Sequence, residues 1–275
     1  MDQATELRVL ARQVASSRAP TAIRPRRIVV FGGKGGVGAT TIAVNLAVAL
    51  AQQDQPCLLC DAAGGDASQQ LRLDPRHSLA DVLRGNRSLD DVIESGPAGV
   101  QVLAGSRELI CRQDTTEHAW GQLLAQLPSL GVVPEAVVID AGNCPDALSR
   151  QLWQTADRVL LVSAVDTTAI MNAYASIKLL NDPARSASVA LLINRSPGEM
   201  YANEAQRRLT HACRRFLGLP LRSVGAVPED VNVPTSTARG EPFLLAAPAC
   251  AASLCLRQAA RAVTNHVTPR RTIAA

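Results

Sequence analysis

Short apolar runs alternate with longer amphipathic segments along most of the chain. The runs predict buried strands, and the segments between them carry apolar residues at spacings of three and four, which predicts helices. The predicted strands cover 27–31, 57–61, 99–105, 136–140, 158–165, 189–194 and 223–227, and the predicted helices cover 40–53, 120–127, 147–155, 167–180, 201–216 and 249–264. This alternation predicts an α/β fold with a doubly wound, mostly parallel sheet, in which ligands bind beyond the carboxyl ends of the strands.

The two ends of the chain depart from this alternation. Residues 2–17 have apolar positions on one helical face, which predicts a short helix. The segment that follows is rich in proline and arginine and has no periodicity, as is typical of a linker. We therefore expect a separate helix at 1–17, a linker at 18–26, a main domain at 27–265 and a tail at 266–275.

The last predicted helix, 249–264, carries Leu256, Ala260 and Val263 on one side. It lacks the Trp or Phe anchors that amphipathic membrane helices usually have. We expect it to dock on the main domain. Weak or dimer-dependent contact with the inner face of the cell membrane is the alternative.

Composition favours a cytoplasmic protein. Hydrophobic residues make up 47% of the chain and aromatic residues 3%, so the core must be aliphatic, which suits buried parallel strands. No uncharged apolar run reaches the ~18 residues of a membrane span, and charges near the N-terminus argue against an export signal. The seven cysteines suggest no disulfide framework. Cys57 and Cys60 lie three apart in a predicted strand, so we expect them to be buried on opposite faces.

Charge is concentrated at the N-terminus. Residues 1–27 hold six arginines and two acidic residues, whereas the other 22 basic residues are balanced by 22 acidic ones. A main domain without net charge has no overall field that would draw it onto nucleic acid. We therefore expect no nucleic-acid binding.

The stretch "FGGKGGVGATT" at 31–41 joins a predicted strand to a predicted helix. Its glycines allow successive backbone N–H groups to converge on one anion, and the start of the helix adds a positive dipole end. Thr40 is placed to ligate Mg²⁺ beside bound phosphates. Lys34 is one of only two lysines in the chain, whereas Ala39 stands where the pattern G-x-x-x-x-G-K-[ST] has its lysine. A glycine-rich turn without a ligand is the alternative.

This loop and the "IAVNLAVALA" that follows resemble the deviant Walker A motif, K-G-G-x-G-K-[ST]-T, of the MinD/ParA family of P-loop ATPases. The resemblance extends from about Arg27 to about Ala262 and implies a P-loop NTPase fold that binds ATP or ADP with Mg²⁺. It also implies an ATP-dependent homodimer, in which Lys34 reaches the partner's phosphates. The residues it assigns to nucleotide binding in the loop are Gly33, Lys34, Gly35, Gly36, Val37, Gly38, Ala39, Thr40 and Thr41.

Two acidic motifs of the family are matched in part. "LLCDAAGGD" resembles switch I, with Asp61 at the first acid and Ala63 in place of the acid that positions the attacking water. "AVVIDAGNCP" resembles the Walker B and switch II strand and implies that Asp140 lies near Mg²⁺, through water. The resemblance thus names Lys34, Asp61 and Asp140 as the catalytic residues. Because Ala39 and Ala63 replace the expected lysine and aspartate, we expect nucleotide binding with weak hydrolysis.

Two later segments resemble the adenine side of the family's site. "LLINR" places Asn194 where the family reads the base edge, with Arg195 next to it. "VGAVPED" adds the turn of Pro228 and Glu229. We expect these four residues to meet at the nucleotide base.

The first residues, "MDQATELR", resemble the activator motif D-Q-A-x-x-L-R of the FlhG family, also called YlxH or FleN, which regulates the placement and number of flagella. That resemblance implies that the N-terminal helix docks on FlhF, a GTPase of the signal-recognition-particle type, and stimulates GTP hydrolysis. It also implies contact with basal-body and C-ring proteins of the flagellum. The residues that would bind FlhF are Asp2, Gln3, Ala4, Leu7 and Arg8.

Other members of the superfamily remain alternatives. A pilus-localisation protein of the CpaE/TadZ type would fit an irregular Walker A loop, but such proteins usually carry a further domain ahead of the ATPase. A ParA-type partition ATPase would need a basic face for DNA. A metal-cluster carrier would need a cysteine pair at ligand spacing, which Cys250 and Cys255 do not provide.

Overall fold

The structure of the protein is a computed structural model that describes residues 24–106, 117–182 and 188–265. Its centre is an eight-stranded sheet in the order β3-β4-β2-β5-β1-β6-β7-β8, parallel except for the β3–β4 pair. The strands are β1 Arg26–Gly32, β2 Cys57–Asp61, β3 Ile93–Ser95, β4 Gln101–Leu103, β5 Ala136–Asp140, β6 Arg158–Ser163, β7 Ser188–Ser196 and β8 Arg222–Pro228. The predicted doubly wound, mostly parallel sheet is confirmed.

Helices cover both faces of the sheet. They are α1 Ala39–Ala51, α2 Asp66–Gln70, α3 Leu79–Leu83, α4 Leu89–Val92, α5 Glu117–Gln126, α6 Ala147–Thr155, α7 Thr167–Leu180, α8 Glu199–Leu217, α9 Asn232–Arg239, α10 Phe243–Ala246 and α11 Ala251–Thr264. Each longer predicted helix is present within about three residues of its predicted ends. The edge strand β3 and the short helices α2 to α4, α9 and α10 were not predicted, because each is too short to show a period.

Alternate residues of the strands belong to two apolar layers. Val29 and Phe31 of β1 pack with α5 to α8, and the Phe31 ring meets Trp153 of α6 edge to face at 5.8 Å. Ile28 of β1 lies in the opposite layer, with α1 and α11. Cys57 and Cys60 are free and buried in different layers, as the strand period predicts.

The helix α11 docks on the domain, as expected. Leu256, Ala260 and Val263 are fully buried in the layer that it shares with α1. Arg158 donates to the carbonyl of Ala262, and Arg26 donates to that of Thr264. These arginines therefore bind the carbonyl end of the helix, where positive charge is favourable.

The chain enters the domain at the same edge. Its β1 strand begins at Arg26, one residue inside the predicted linker. The predicted helix at 1–17, with Asp2, Gln3, Ala4, Leu7 and Arg8, and the tail at 266–275 lie outside the described residues. In the described part of the chain, none of the helices is both long and apolar enough to cross a membrane.

Candidate functional site

The P-loop, residues 32–41, connects β1 to α1 at the carboxyl edge of the sheet. Gly36 and Gly38 have φ of +80° and +85°, a conformation that glycine adopts without strain. A side chain at Gly33 would bring its Cβ to 2.8 Å from Ala173 of α7, so this position has no room for one. The geometry leaves the loop lying closely over β1 and β6, with the N-terminus of α1 at its end.

Asp140 ends β5 beside the P-loop and is completely buried. Burial, followed by the charge of Asp61, raises its pKa to about 7, while hydrogen bonding from the Thr40 side chain and the Gly142 amide opposes the rise. Oδ1 accepts the Gly142 N–H at 3.1 Å, whereas Oδ2 has no hydrogen-bond partner among the described residues. A buried carboxylate oxygen left free near a threonine hydroxyl fits Mg²⁺ or one of its waters, because this ion prefers oxygen ligands.

Asp61 ends β2, directly beside Asp140 in the strand register. Its two oxygens accept the N–H groups of Ala63 at 3.0 Å and Ala67 at 2.9 Å. Burial raises its pKa, and these backbone bonds oppose the rise. Both oxygens therefore hold the loop that follows β2. Ala63 brings no carboxylate to the site, and Asp66 is exposed at the start of α2.

Lys34 is paired within its own chain. Its Nζ lies 3.0 Å from Oδ1 of Asp166, the N-cap of α7. The bond from Lys34 is the main reason that the pKa of Asp166 is lowered. The two side chains are 33% and 48% exposed, so the pair contributes little stability and can be exchanged at small cost. Ala39, at the second lysine position, is buried against apolar neighbours.

A cavity of about 840 Å³ opens on the other side of the P-loop, at the ends of β7 and β8. Its apolar wall comes from Val231, Val233 and Pro234 at the start of α9, which the sequence interpretation did not identify. The four residues predicted for the adenine side all line it: Asn194, Arg195, Pro228 and Glu229.

Contacts join this cavity to the P-loop. Asn194 Nδ2 donates to the carbonyl of Val37 at 2.8 Å, and the Arg195 guanidinium donates to that of Gly36 at 3.2 Å. Arg195 also faces Glu229 at 3.9 Å. Asn194 thus supports the loop as well as lining the cavity. Thr41, predicted to bind nucleotide, lines the same cavity from the first turn of α1.

The loop after β5 lies in the segment that resembles switch II, but the sequence interpretation assigned none of its residues beyond Asp140 to the site. Gly142 has φ of +67°, and its carbonyl accepts the Gly32 N–H at 2.7 Å. Asn143, the next residue, is exposed, and its Nδ2 would lie 3.2 Å from a Cβ built on Gly35. The glycine in "DAGN" indicated a special turn in the sequence. Its contact with the P-loop could not be predicted, because the two segments lie far apart in the chain.

Comparison with known proteins agrees with this geometry. Residues 28–243 match the family model for the CobQ/CobB/MinD/ParA nucleotide binding domain. The antiactivator FleN of Pseudomonas aeruginosa is 33% identical over 247 residues, which cover 88% of this chain and 87% of FleN. A putative septum site-determining protein MinD of Oltmannsiellopsis viridis is 30% identical over 86% of this chain and 75% of its own length.

Solved structures share the fold. MinD in the MinC:MinD cell division complex of Aquifex aeolicus superposes with a TM-score of 0.72 and 24% identity, covering 89% of this chain and 97% of that one. The septum site-determining protein MinD of Pyrococcus horikoshii, complexed with Mg-ADP, gives 0.71 and 21%, covering 87% and 96%. The protein therefore belongs to the CobQ/CobB/MinD/ParA nucleotide-binding family, in which it is a FleN-like member.

Proposed function

We propose that this protein is an FlhG-like regulator of flagellar placement and number that binds ATP or ADP with Mg²⁺. The observation that carries the nucleotide part is the alignment of three features along one edge of the sheet. These are the cavity at β7 and β8, the P-loop after β1, and the free Asp140 Oδ2 after β5. They match the order of base, phosphates and metal in a bound nucleotide.

Each part of the site has a defined task in this proposal. The cavity holds the base, with Asn194 at its edge, and the N–H groups of residues 33–41 bind the phosphates. Thr40 and Asp140 hold Mg²⁺, Asp140 through water. The ion supplies positive charge to the phosphate oxygens when it is bound.

The missing lysine at position 39 makes the binding weaker. One cation at ~4 Å from a phosphate contributes about 4 kcal/mol at an effective dielectric constant near 20, before desolvation. Hydrolysis is slow for a second reason. Ala63 cannot orient a water, and the oxygens of Asp61 are already bonded to the backbone.

The N-terminal segment supplies the regulatory activity. We assign FlhF binding to Asp2, Gln3, Ala4, Leu7 and Arg8, with the Gln3 amide helping to orient the attacking water in the GTPase. The main domain begins at the amino edge of β1, whereas the cavity lies at the carboxyl edge. The segment therefore joins the domain at the opposite end of β1 from the cavity. We further propose that the main domain contacts basal-body or C-ring proteins in the cytoplasm.

A nucleotide-dependent homodimer fits the position of Lys34. In a single copy this lysine is paired with Asp166, so its transfer to a partner's phosphates would exchange one exposed ion pair for a contact with a more highly charged group. Membrane contact stays a secondary proposal. The apolar face of α11 is buried in the domain. A membrane contact would therefore have to be made by another segment or by the dimer.

The test of the regulatory role is GTP turnover by FlhF with the full-length protein added. We expect stimulation that is lost in Gln3→Ala and on deletion of residues 1–20. Gln13→Ala, in the same segment but outside the motif, is the matched control and should stimulate normally. If Gln3→Ala and the deletion leave turnover unchanged, the activator role is wrong.

One observation favours a second candidate, partition-type DNA binding. Helix α8 exposes Arg207, Arg208, Arg214 and Arg215. The first two are paired with Glu204 at 2.7 Å, so Arg214 and Arg215 carry most of the positive charge of this face. Such a face can bind phosphates even though the whole domain is neutral. Binding to non-specific DNA that weakens steeply with salt, with a slope that decreases in Arg214→Ala, would support this function.

A further inference from the structure

We propose that Arg72 is a positioning residue for the nucleotide base, because it holds helix α9 at the cavity beside the ends of β7 and β8. This inference rests on the proposed nucleotide binding and adds to it the residue that fixes one wall of the base site. Arg72 lies in the turn after α2, 166 residues ahead of the carbonyl that it binds in α9.

Helix α9 is a weakly packed wall of the cavity. Four of its residues line the cavity: Val233, Pro234, Thr237 and Ala238. Within α9 only Ser236 is buried, so packing against the core fixes the position of the helix weakly. The hydrogen bonds at its two ends therefore contribute more to its position than they would in a buried helix.

Each end of α9 is bonded to a different part of the domain. At its start, Asp230 accepts the N–H groups of Asn232 at 2.9 Å and Ala252 at 3.2 Å, which joins α9 to α11. At its end, the Arg72 guanidinium donates to the carbonyl of Ala238 at 2.9 Å. Positive charge is favourable at this end of a helix. Arg72 thus joins the last turn of α9 to the turn after α2.

The turn that carries Arg72 is fixed by the core. Leu71 is buried in the apolar layer of α1, and Leu73 packs against the same layer. The Arg72 stem lies so close to Gly240 that any side chain at Gly240 would collide with it. The guanidinium is therefore held at the end of α9 by a backbone that does not depend on α9 for its own position.

The backbone conformation of Arg72 is consistent with a role for its side chain. Its φ is +51°, in the left-handed region, where residues other than glycine are strained. Glycine would occupy this turn without strain, but it has no guanidinium. Arginine at this position keeps the strain and gains the bond to α9.

The expected effect falls on the base and not on the phosphates. Mg-ADP would contact both the cavity and the P-loop, whereas Mg-pyrophosphate has no base and would bind at the P-loop alone. Arg72→Ala frees the end of α9, so binding of the base must then order it. The variant should weaken Mg-ADP by roughly three- to tenfold, the effect of one such hydrogen bond, and leave Mg-pyrophosphate unchanged within about twofold.

The experiment is isothermal titration of the full-length protein with Mg-ADP and with Mg-pyrophosphate. Arg72→Gly is the second variant, because it removes the backbone strain together with the guanidinium. Its melting temperature should stay near that of the wild type, while Mg-ADP binds as weakly as in Arg72→Ala. Arg239 is an exposed arginine in the last turn of α9. Arg239→Ala is therefore the matched control and should change neither affinity.

Equal weakening of both ligands in the Arg72 variants, or of neither, overturns the inference while nucleotide binding stands. If the wild type binds Mg-pyrophosphate as tightly as Mg-ADP, the cavity does not hold the base, and the role of Arg72 is wrong with it. If the wild type binds neither ligand, the proposed nucleotide site itself is wrong.

Discussion

The buried carboxyl group of Asp140 should make the free protein less stable as pH rises. Its ordinary pKa is 3.8, and in the folded protein it is about 7. Between these values the folded state keeps a proton that the unfolded chain has lost. Stability is therefore lost as pH rises through this window. At roughly 1.4 kcal/mol for each pKa unit, the cost is about 2 kcal/mol at pH 5 and about 4 kcal/mol at pH 8.

Asp140→Asn removes this cost, because an amide stays neutral and its oxygen can still accept the Gly142 N–H. The variant should gain stability relative to wild type, and the gain should be larger at pH 8 than at pH 5 by about 2 kcal/mol. The measurement is urea unfolding at both pH values in EDTA, without nucleotide. The pH difference is the informative quantity, because effects specific to the asparagine cancel in it.

The matched control is Asp146→Asn. Asp146 is exposed and caps α6 by accepting the Ser149 N–H at 2.8 Å, and asparagine caps helices about as well. Its gain should be near zero at both pH values. If Asp140→Asn destabilises the protein equally at pH 5 and pH 8, the carboxyl group is not held protonated by burial, and the reasoning is refuted. With Mg-nucleotide present the same variant should bind more weakly, because the metal needs the charge that the fold disfavours.

Two further predictions concern the P-loop. Ala39→Lys should bind ATP about 2 kcal/mol more tightly than Ala39→Met, a variant of similar length without charge. This figure is the gross attraction of about 4 kcal/mol between one cation and a phosphate, less the side-chain entropy lost when the lysine is ordered. Equal affinities by titration calorimetry would show that the lost cation is unimportant. Gly38→Ala should lower the free energy of unfolding by more than the roughly 1–2 kcal/mol of a left-handed alanine, because its Cβ would lie 2.6 Å from Asn194 Nδ2. Gly36 has nearly the same φ and open space around it, so Gly36→Ala is the control and should show the backbone strain alone in urea unfolding. Equal losses of unfolding free energy in the two variants would show that the clash with Asn194 is unimportant.

The site combines buried carboxyl groups, which are unfavourable when charged, with an exposed ion pair of small energy. Burial raises the pKa of both Asp61 and Asp140, and the charge of Asp61 adds to the rise at Asp140. Lys34 and Asp166 form an exposed pair that can be exchanged. The first arrangement favours arrival of a cation, and the second lets a lysine change partners. In this proposal both make nucleotide binding a switch even without Lys at position 39.

Local patterns in the sequence determined much of the fold. The strands 57–61 and 136–140 and the helices 147–155 and 167–180 were predicted with the ends that the structure has, because burial and helical periodicity are local properties. The spacing of glycines marked the phosphate loop for the same reason. Asp61, Asp140, Asn194 and Pro228 could be assigned to one edge, because carboxyl ends of parallel strands lie together.

Only the tertiary structure decided which groups meet. The order of strands places β5 on one side of β1 and the cavity at β7 and β8 on the other, so the P-loop lies between Asp140 and the cavity. Likewise the pairing of Lys34 with Asp166, and the bond from Asn194 to the Val37 carbonyl, depend on contacts between segments far apart in the chain. The physical reason is that periodicity reports the environment of each residue, whereas partners are set by packing across the sheet, which a linear pattern does not encode.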